Sequence, residues 1–256
     1  MCFDDDSHPP IPVSTDSGTR GEDLTLTAAD GTRVAAYLAT PGAPARAQIV
    51  VLPDVRGLHN FYKELAQRCA DVGMRALVFD YFGRTAENDD RSEPFDFMPH
   101  VRQMTPETFG LDLDAAIDAI RRGPEGDLPT FTMGFCMGGS LSLWAGTRDY
   151  DLAGVIGFYA SLTRTMGAVT PVLGWARQIR YSVLGLFGGA DQGIPQEDID
   201  RLDGELDEAG VSHEIVVYPG APHSFFDRKA AEFAEASADA WNRVQGFVAG
   251  HETAYV

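Results

Sequence analysis

The sequence contains few cysteines and no long apolar run. Its three cysteines, Cys2, Cys69 and Cys136, are too few and too widely spaced for a disulfide framework or a metal-binding cage. No uninterrupted apolar run of about 18 residues is present, so a membrane-spanning helix is not expected. Residues 1–6 are too acidic for a secretory signal, and no apolar segment follows them. These absences predict a reducing, cytoplasmic location.

Basic residues are also scarce, and only two of them are lysines. The chain has 38 Asp and Glu against 20 Lys and Arg, which gives a formal net charge of −18. Such a surface repels nucleic acid phosphates and anionic lipids, so neither is an expected partner. The sequence shows no metal-ligand cluster, no P-loop and no dinucleotide-binding loop, and no cofactor is expected. The expected partner is a small molecule, and the expected assembly is a monomer or a homodimer.

The first 20 residues, which contain several prolines, are expected to form a poorly ordered arm, and strand-like and helix-like segments alternate after them. Strands are predicted at 22–28, 32–40, 48–52, 75–80, 130–135, 155–160, 182–187 and 214–218. Helices are predicted around 58–72, 105–122, 137–146, 199–209 and 233–247, the second with Thr105 as N-cap and Pro106 as its first residue. This alternation predicts a single α/β domain over residues 21–256, with a mostly parallel central sheet, helices on both faces and an antiparallel N-terminal edge.

Two stretches interrupt the alternation of strands and helices. Residues 83–104 and 162–180 each follow a predicted strand, at the edge of the sheet where α/β proteins bind ligands. Unstructured loops of this length often cover sites. The sequence leaves two alternatives open, a lid over the site and a surface insertion.

The clearest motif is Gly134-Phe135-Cys136-Met137-Gly138-Gly139, between a predicted strand and a predicted helix. A strand–turn–helix with Gly-x-nucleophile-x-Gly is typical of a nucleophile elbow, here with sulfur in place of oxygen. A Cβ two residues before or after the nucleophile would collide with the strand or the helix. Cys136 is therefore predicted to lie at a helix N-terminus, where the helix dipole favours a thiolate. The alternative is a buried structural cysteine in a glycine-rich turn.

Two later segments favour the catalytic alternative. Asp191 follows a predicted strand in Gly188-Gly189-Ala190-Asp191, and His223 follows the last one in Gly220-Ala221-Pro222-His223. Nucleophile, acid and histidine in this chain order are typical of α/β hydrolases. His223 would accept the thiol proton, and Asp191 would fix the imidazole tautomer.

With these motifs, the chain resembles the dienelactone hydrolase (carboxymethylenebutenolidase) family of α/β hydrolases from about residue 22 to 249. The resemblance includes the segment Tyr218-Pro219-Gly220-Ala221-Pro222-His223-Ser224-Phe225-Phe226 and the cysteine at the elbow. It implies a carboxylate that holds the resting thiol, for which Asp54 stands where the family has Glu. It also implies an oxyanion hole formed by the main-chain N–H groups of Val55 and Met137.

The family uses two arginines to bind the carboxylate of its anionic lactone. By resemblance Arg84 matches the first, but the second position, four residues after His223, holds Asp227. Arg228, one residue further on, and Arg56, beside Asp54, are the alternative sources of positive charge. Arg84 and Arg228 could equally be surface partners for the many acids of this chain. This departure favours a neutral ester or lactone as substrate.

The leading hypothesis is a cofactor-independent hydrolase of ester or lactone bonds, acting through a Cys136–His223–Asp191 triad and an acyl-thioester. Two alternatives stay open. A non-catalytic α/β-hydrolase-fold protein could bind small ligands, and an accessible Cys136 could serve as a thiol redox sensor.

Overall fold

The computed structural model describes residues 3–14, 17–91, 95–122, 126–165 and 167–251, and its centre is one eight-stranded sheet. The strands are β1 Arg20–Thr27, β2 Arg33–Thr40, β3 Ala47–Leu52, β4 Met74–Phe79, β5 Thr130–Phe135, β6 Gly154–Phe158, β7 Ser182–Gly188 and β8 His213–Tyr218. Their order in the sheet is β1-β2-β4-β3-β5-β6-β7-β8. The pairs β1–β2 and β2–β4 are antiparallel and the remaining pairs are parallel. The predicted α/β architecture with an antiparallel N-terminal edge is confirmed.

Six α-helices accompany the strands within the described residues. They are α1 Asn60–Asp71, α2 Phe97–Val101, α3 Pro106–Ile120, α4 Met137–Ala145, α5 Gln196–Ala209 and α6 Ala234–Ala249. The helix α3 begins as predicted, because the Thr105 hydroxyl accepts a hydrogen bond from the Thr108 N–H and Pro106 is the first helical residue. None of these helices is long and apolar enough to cross a membrane.

The central strands are buried on both faces, which explains their unbroken apolar sequences. Every residue of β3, β5 and β6 is buried. Because β3 pairs with β5 and β5 with β6, the carboxyl ends of these three strands lie side by side. The loops that follow them therefore meet at one edge of the sheet.

The described part of the first 20 residues lies against α1. Ser17 and Thr19 donate side-chain hydrogen bonds to the Asp71 carboxylate, and the Arg68 Nε donates to the Ile11 carbonyl at 3.1 Å. Composition alone predicts poor order for this segment. The contacts named above are made with side chains on α1, which no local pattern in the first 20 residues indicates.

Candidate active site

Cys136 occupies a sharp turn between β5 and α4. It is the N-cap residue of α4, with φ 54° and ψ −114°, a conformation that costs a non-glycine residue about 1–3 kcal/mol. A Cβ built on Gly134 would lie 1.8 Å from the Gly138 carbonyl oxygen, and one built on Gly138 would lie 2.1 Å from the Leu52 carbonyl oxygen. The two glycines therefore allow the turn, as the sequence predicts. The Cys136 residue is 4% exposed.

Asp191 and His223 form a close pair after β7 and β8. The His223 Nδ1 lies 2.6 Å from Asp191 Oδ2, while Asp191 Oδ1 accepts a hydrogen bond from the Gly193 N–H at 2.8 Å. With an ionised carboxylate, His223 carries its proton on Nδ1, and the buried Nε2 is then the atom that can accept a proton. This is the orientation that a general base needs.

The segment after His223 crosses back over the ends of β5 and β6. The Phe226 ring stacks on Phe135 with centroids 5.9 Å apart and lies 4.8 Å from Phe158. Tyr159, the residue after β6, packs against the His223 imidazole, with the two ring centroids 4.8 Å apart. Because Phe135 directly precedes Cys136, this aromatic packing places the histidine segment beside the elbow.

Two main-chain N–H groups lie on the loops that meet at the elbow. Val55 follows β3, and Met137 is the first residue of α4. The Cβ position on Gly138 lies within 2.3 Å of the carbonyl oxygens of Leu52 and Pro53, so the β3–α1 loop and the start of α4 are in close contact. Among the main-chain hydrogen bonds of turns and loops in the described residues, none is donated by the Val55 or the Met137 N–H. Their role as an oxyanion hole stays a prediction.

Asp54 is bound to Arg56. Its two carboxylate oxygens accept hydrogen bonds from the Arg56 Nε at 3.1 Å and Nη2 at 3.0 Å. These hydrogen bonds hold the carboxylate against a guanidinium two residues away, and the role of Asp54 in holding the resting thiol stays a prediction. Asp54 lies beside Tyr81, whose hydroxyl donates to the Asp54 carbonyl. Burial first, and then Asp54, Asp80 and Cys136, raise the pKa of Tyr81 well above its usual value.

Arg56 is hydrogen-bonded to several other groups of the protein. Besides Asp54, it contacts the Asp227 carboxylate, the Asp4 carbonyl at 3.1 Å and the Ser7 hydroxyl at 3.2 Å. Burial raises the pKa of the Asp227 carboxyl to about 6, against the attraction of Arg56. All of these contacts are with groups of the protein itself, and the substrate-binding role of Arg56 stays a prediction.

Arg84 points towards the antiparallel edge of the sheet. Its guanidinium bonds Asp112 on α3 at 2.8 to 3.1 Å and Asp30 in the β1–β2 turn, and its Nη1 donates to the Thr32 hydroxyl at 2.9 Å. The guanidinium is thereby paired with two acids of the protein, and the substrate-binding role of Arg84 stays a prediction. The buried Arg228 Nε has no hydrogen-bond partner within the described residues. The substrate-binding role of Arg228 stays a prediction.

Two buried tyrosines at the site were missed by the sequence reasoning. Tyr81 follows β4, and its hydroxyl donates to the Asp54 carbonyl at 2.8 Å. The pKa of Tyr159 is raised well above its usual value, by burial first and then by Asp227, Asp54 and Cys136. Both phenols therefore stay protonated beside the thiol. A useful signal was available, since Tyr159 directly follows β6 and Tyr81 comes one residue later after β4, and both strands end at the site edge.

The two interrupting stretches border the elbow and contain short helices. Residues 83–104 include α2, and residues 162–180 include 3-10 turns at Val172–Gly174 and Ala176–Gln178. A Cβ on Gly167 would lie 2.6 Å from the Met137 sulfur and 3.4 Å from the Met104 sulfur. The stretches therefore converge beside α4, and a lid role stays a prediction.

The remaining cysteines and the other ligand-type cluster lie elsewhere. Cys69 is buried in the core on α1, and Cys2 lies outside the described residues. Asp203, Asp207 and His213 bring their ligand atoms within 4.8 Å of one another at the far end of β8. The His213 ring bonds the Val211 carbonyl and Asp203, which we interpret as a surface hydrogen-bond cluster.

The sheet order and the strained turn after β5 place the protein among the α/β hydrolases. Within that class, the model of the dienelactone hydrolase family matches residues 34–251, and the chain belongs to this family. It is a carboxylic ester hydrolase with a small-molecule ester or lactone as its class of substrate.

Relatives in several organisms agree with this assignment. A protein named as a candidate carboxymethylenebutenolidase in Methylorubrum extorquens is 31% identical over 242 residues, covering 91% of this chain and 82% of its own. A crystal structure of a candidate dienelactone hydrolase from Klebsiella pneumoniae has a TM-score of 0.79 at 25% identity, with coverage of 90% and 98%. An esterase of Pyrococcus furiosus, at 14% identity and TM-score 0.66 with coverage of 94% and 96%, shows the fold alone.

Proposed function

We propose that this protein hydrolyses neutral carboxylic esters or lactones through an acyl-thioester on Cys136. The observation that carries the proposal is the strained backbone of Cys136 at the start of α4, beside a histidine segment whose imidazole is paired with Asp191. Such strain is retained at functional sites because the surrounding structure enforces it. Family membership favours this proposal over the alternative of a ligand-binding protein.

The reaction follows from the roles of the three side chains. His223 Nε2 takes the proton from the Cys136 thiol, and the sulfur attacks the carbonyl carbon. The resulting oxyanion accepts hydrogen bonds from the Val55 and Met137 N–H groups. The leaving oxygen departs with the proton from His223. Water, deprotonated by His223, then attacks the thioester, and the acid and the free thiol are released.

A neutral substrate is supported by the charges around the elbow. Asp54 and Asp227 are both carboxylates, Arg56 is bonded to each of them, and Arg84 is bonded to Asp30 and Asp112. Two of the three arginines proposed to attract a substrate carboxylate are therefore committed to acids of the protein. Arg228 is the remaining cation for an anionic substrate.

The test compares Cys136→Ala with Cys69→Ala, a matched change at the buried cysteine on α1. With p-nitrophenyl butyrate as substrate, we expect Cys136→Ala to lose at least about a thousandfold in kcat, because the nucleophile is removed. Cys69→Ala should keep wild-type turnover per folded molecule. Mass spectrometry of an acid-quenched mixture should show one acyl group on Cys136.

Two results would contradict the proposal. Turnover that survives in Cys136→Ala would rule out Cys136 as the nucleophile. A preference for anionic mono-p-nitrophenyl succinate over the neutral butyrate would rule out the neutral substrate class while leaving the mechanism in place.

A further inference from the structure

Arg56 lies where three distant segments of the chain meet. Its guanidinium bonds Asp54 in the β3–α1 loop, Asp227 in the segment after His223, and both Asp4 and Ser7 in the N-terminal segment. The side chains of Arg56 and Asp54 are each 4% exposed, and that of Asp227 is 2% exposed. We call Asp54, Arg56 and Asp227 the Arg56 clamp.

The position of the guanidinium is strongly determined. Nε, Nη1 and Nη2 together make five hydrogen bonds, which matches the five N–H donors of arginine. Aromatic rings surround the same group, with centroids 4.8 Å away for Phe3, 5.1 Å for Phe61 and 5.4 Å for Tyr62. A lysine has neither the planar fork nor enough donors to reproduce these contacts.

One side of the clamp controls the main chain around Val55. Asp54 Oδ1 accepts a hydrogen bond from the Arg56 N–H at 2.9 Å, which closes a small turn around the intervening residue. The Asp54 N–H donates to the Tyr62 hydroxyl at 3.0 Å, and the Asp54 carbonyl accepts from Tyr81. The peptide that presents the Val55 N–H is thereby held on both sides.

The other side of the clamp controls the turn that follows His223. The Asp227 N–H donates to the Ser224 carbonyl at 3.0 Å, and Ser224 has φ 62°. Left-handed backbone at a serine requires support from the surrounding structure. The Asp227 side chain supplies such support by tying this turn to Arg56, 171 residues away in the chain.

We propose that Arg56 is a positioning residue that fixes the oxyanion loop against the catalytic histidine segment. It touches no reacting atom. It keeps the Val55 N–H and the His223 imidazole in a fixed position relative to each other. The N-terminal segment covers Arg56 from solvent. The consequence for turnover rests on the proposed function, whereas the mechanical link between the two segments does not.

The test breaks the clamp at Asp227 and compares it with an equivalent break elsewhere. Asp227→Asn keeps the side-chain shape and one acceptor but removes the charge that Arg56 faces. Asp112→Asn is the matched control, because Asp112 is also a buried partner of an arginine, Arg84, on the antiparallel side of the sheet. Wild-type and variants are compared for kcat, KM and hydrogen–deuterium exchange.

For Asp227→Asn we expect kcat to fall by about 10- to 100-fold with KM changed by less than about threefold, since only transition-state alignment is lost. Exchange should increase in both residues 54–57 and residues 223–230. Asp112→Asn should leave kcat within about twofold of wild type. Arg56→Lys, which keeps the charge without the fork, should show the same two exchange increases as Asp227→Asn.

Each outcome decides the inference. Wild-type kcat in folded Asp227→Asn, or unchanged exchange in the two segments, overturns it. An equal loss of kcat in Asp112→Asn also overturns it, since the effect would then reflect general destabilisation. If the wild-type protein turned over no ester, the proposed function would fail, and the exchange of the two segments would still decide whether Arg56 links them.

Discussion

Gly138 has no room for even one methyl group. A Cβ there would meet the Leu52 and Pro53 carbonyl oxygens at 2.1 and 2.3 Å, and main-chain oxygens cannot move aside as flexible side chains do. We expect Gly138→Ala to lower the free energy of unfolding by at least about 2 kcal/mol, although alanine is the better helix former. Chemical denaturation measures the difference.

Gly204 provides the opposite case in another helix. It lies inside α5, and no atom comes within 4 Å of a Cβ built on it. Gly204→Ala should therefore raise the free energy of unfolding by about 0.5–1 kcal/mol. An equal effect of the two substitutions would mean that the close approach at Gly138 is not what excludes a side chain there.

The side chains that the sequence places well are those fixed by local patterns. Asp191 and His223 lie in the loops that follow the neighbouring strands β7 and β8, so strand order brings them together. Asp191 Oδ2 and His223 Nδ1 lie 2.6 Å apart. The partners of Arg56 could not be predicted in this way. Its bond to Asp227 joins residues 171 positions apart, and Arg84 finds Asp30 and Asp112 through the packing of three separate elements.

The start of α3 depends on a local signal and can be tested by itself. The Thr105 hydroxyl accepts from the Thr108 N–H, and the Thr108 hydroxyl accepts from the Thr105 N–H in return. Thr105→Ala should lower the free energy of unfolding by about 1 kcal/mol, because the Thr108 N–H loses its side-chain acceptor. Thr105→Ser keeps a hydroxyl and should stay within experimental error of wild type in the same thermal or urea titration. Identical stabilities of the alanine and serine variants would contradict the capping role.

Elements with a clear periodicity and caps were predicted to within a few residues, and those without were not. The predicted strand at 130–135 matches β5 in full, and helix α3 begins at Pro106 as expected. The short helix α2 was missed, because five residues with a proline in the middle show no helical period. The contacts of the N-terminal segment depend on partners elsewhere in the fold.

The charge of the molecule as a whole agrees with a neutral substrate. At a formal −18, the field around the protein slows the approach of anions and leaves uncharged esters unaffected. The buried acids near the site outnumber the buried arginines that pair with them, which also disfavours an anionic substrate. Asp54, Asp80 and Asp227 lie within or beside the loops that form the edge of the sheet, and two buried arginines, Arg56 and Arg91, offset them.

These buried acids also give the stability of the protein a dependence on pH. Burial raises the pKa of Asp80 to about 6, although Arg91 lies 2.7 Å away and acts in the opposite direction. Between pH 4 and pH 6 the folded protein therefore holds a proton on Asp80 that the unfolded chain releases. This group makes the free energy of unfolding fall as pH rises through that interval, by at most about 1.4 kcal/mol per pH unit.

Asp80→Asn should remove that contribution, so its free energy of unfolding should fall less steeply, or rise more steeply, than that of wild type between pH 4 and pH 6. The comparison uses slopes from urea titrations, because the substitution also changes the contacts of this buried side chain with Arg91 and the Phe82 N–H, which shifts the stability of the variant apart from its slope. Asp200→Asn, at an exposed position on α5, should keep the wild-type slope. If Asp80→Asn also kept the wild-type slope, the Asp80 carboxyl would ionise at the same pH in the folded and unfolded chains. Burial beneath the β3–α1 loop would then not perturb its pKa.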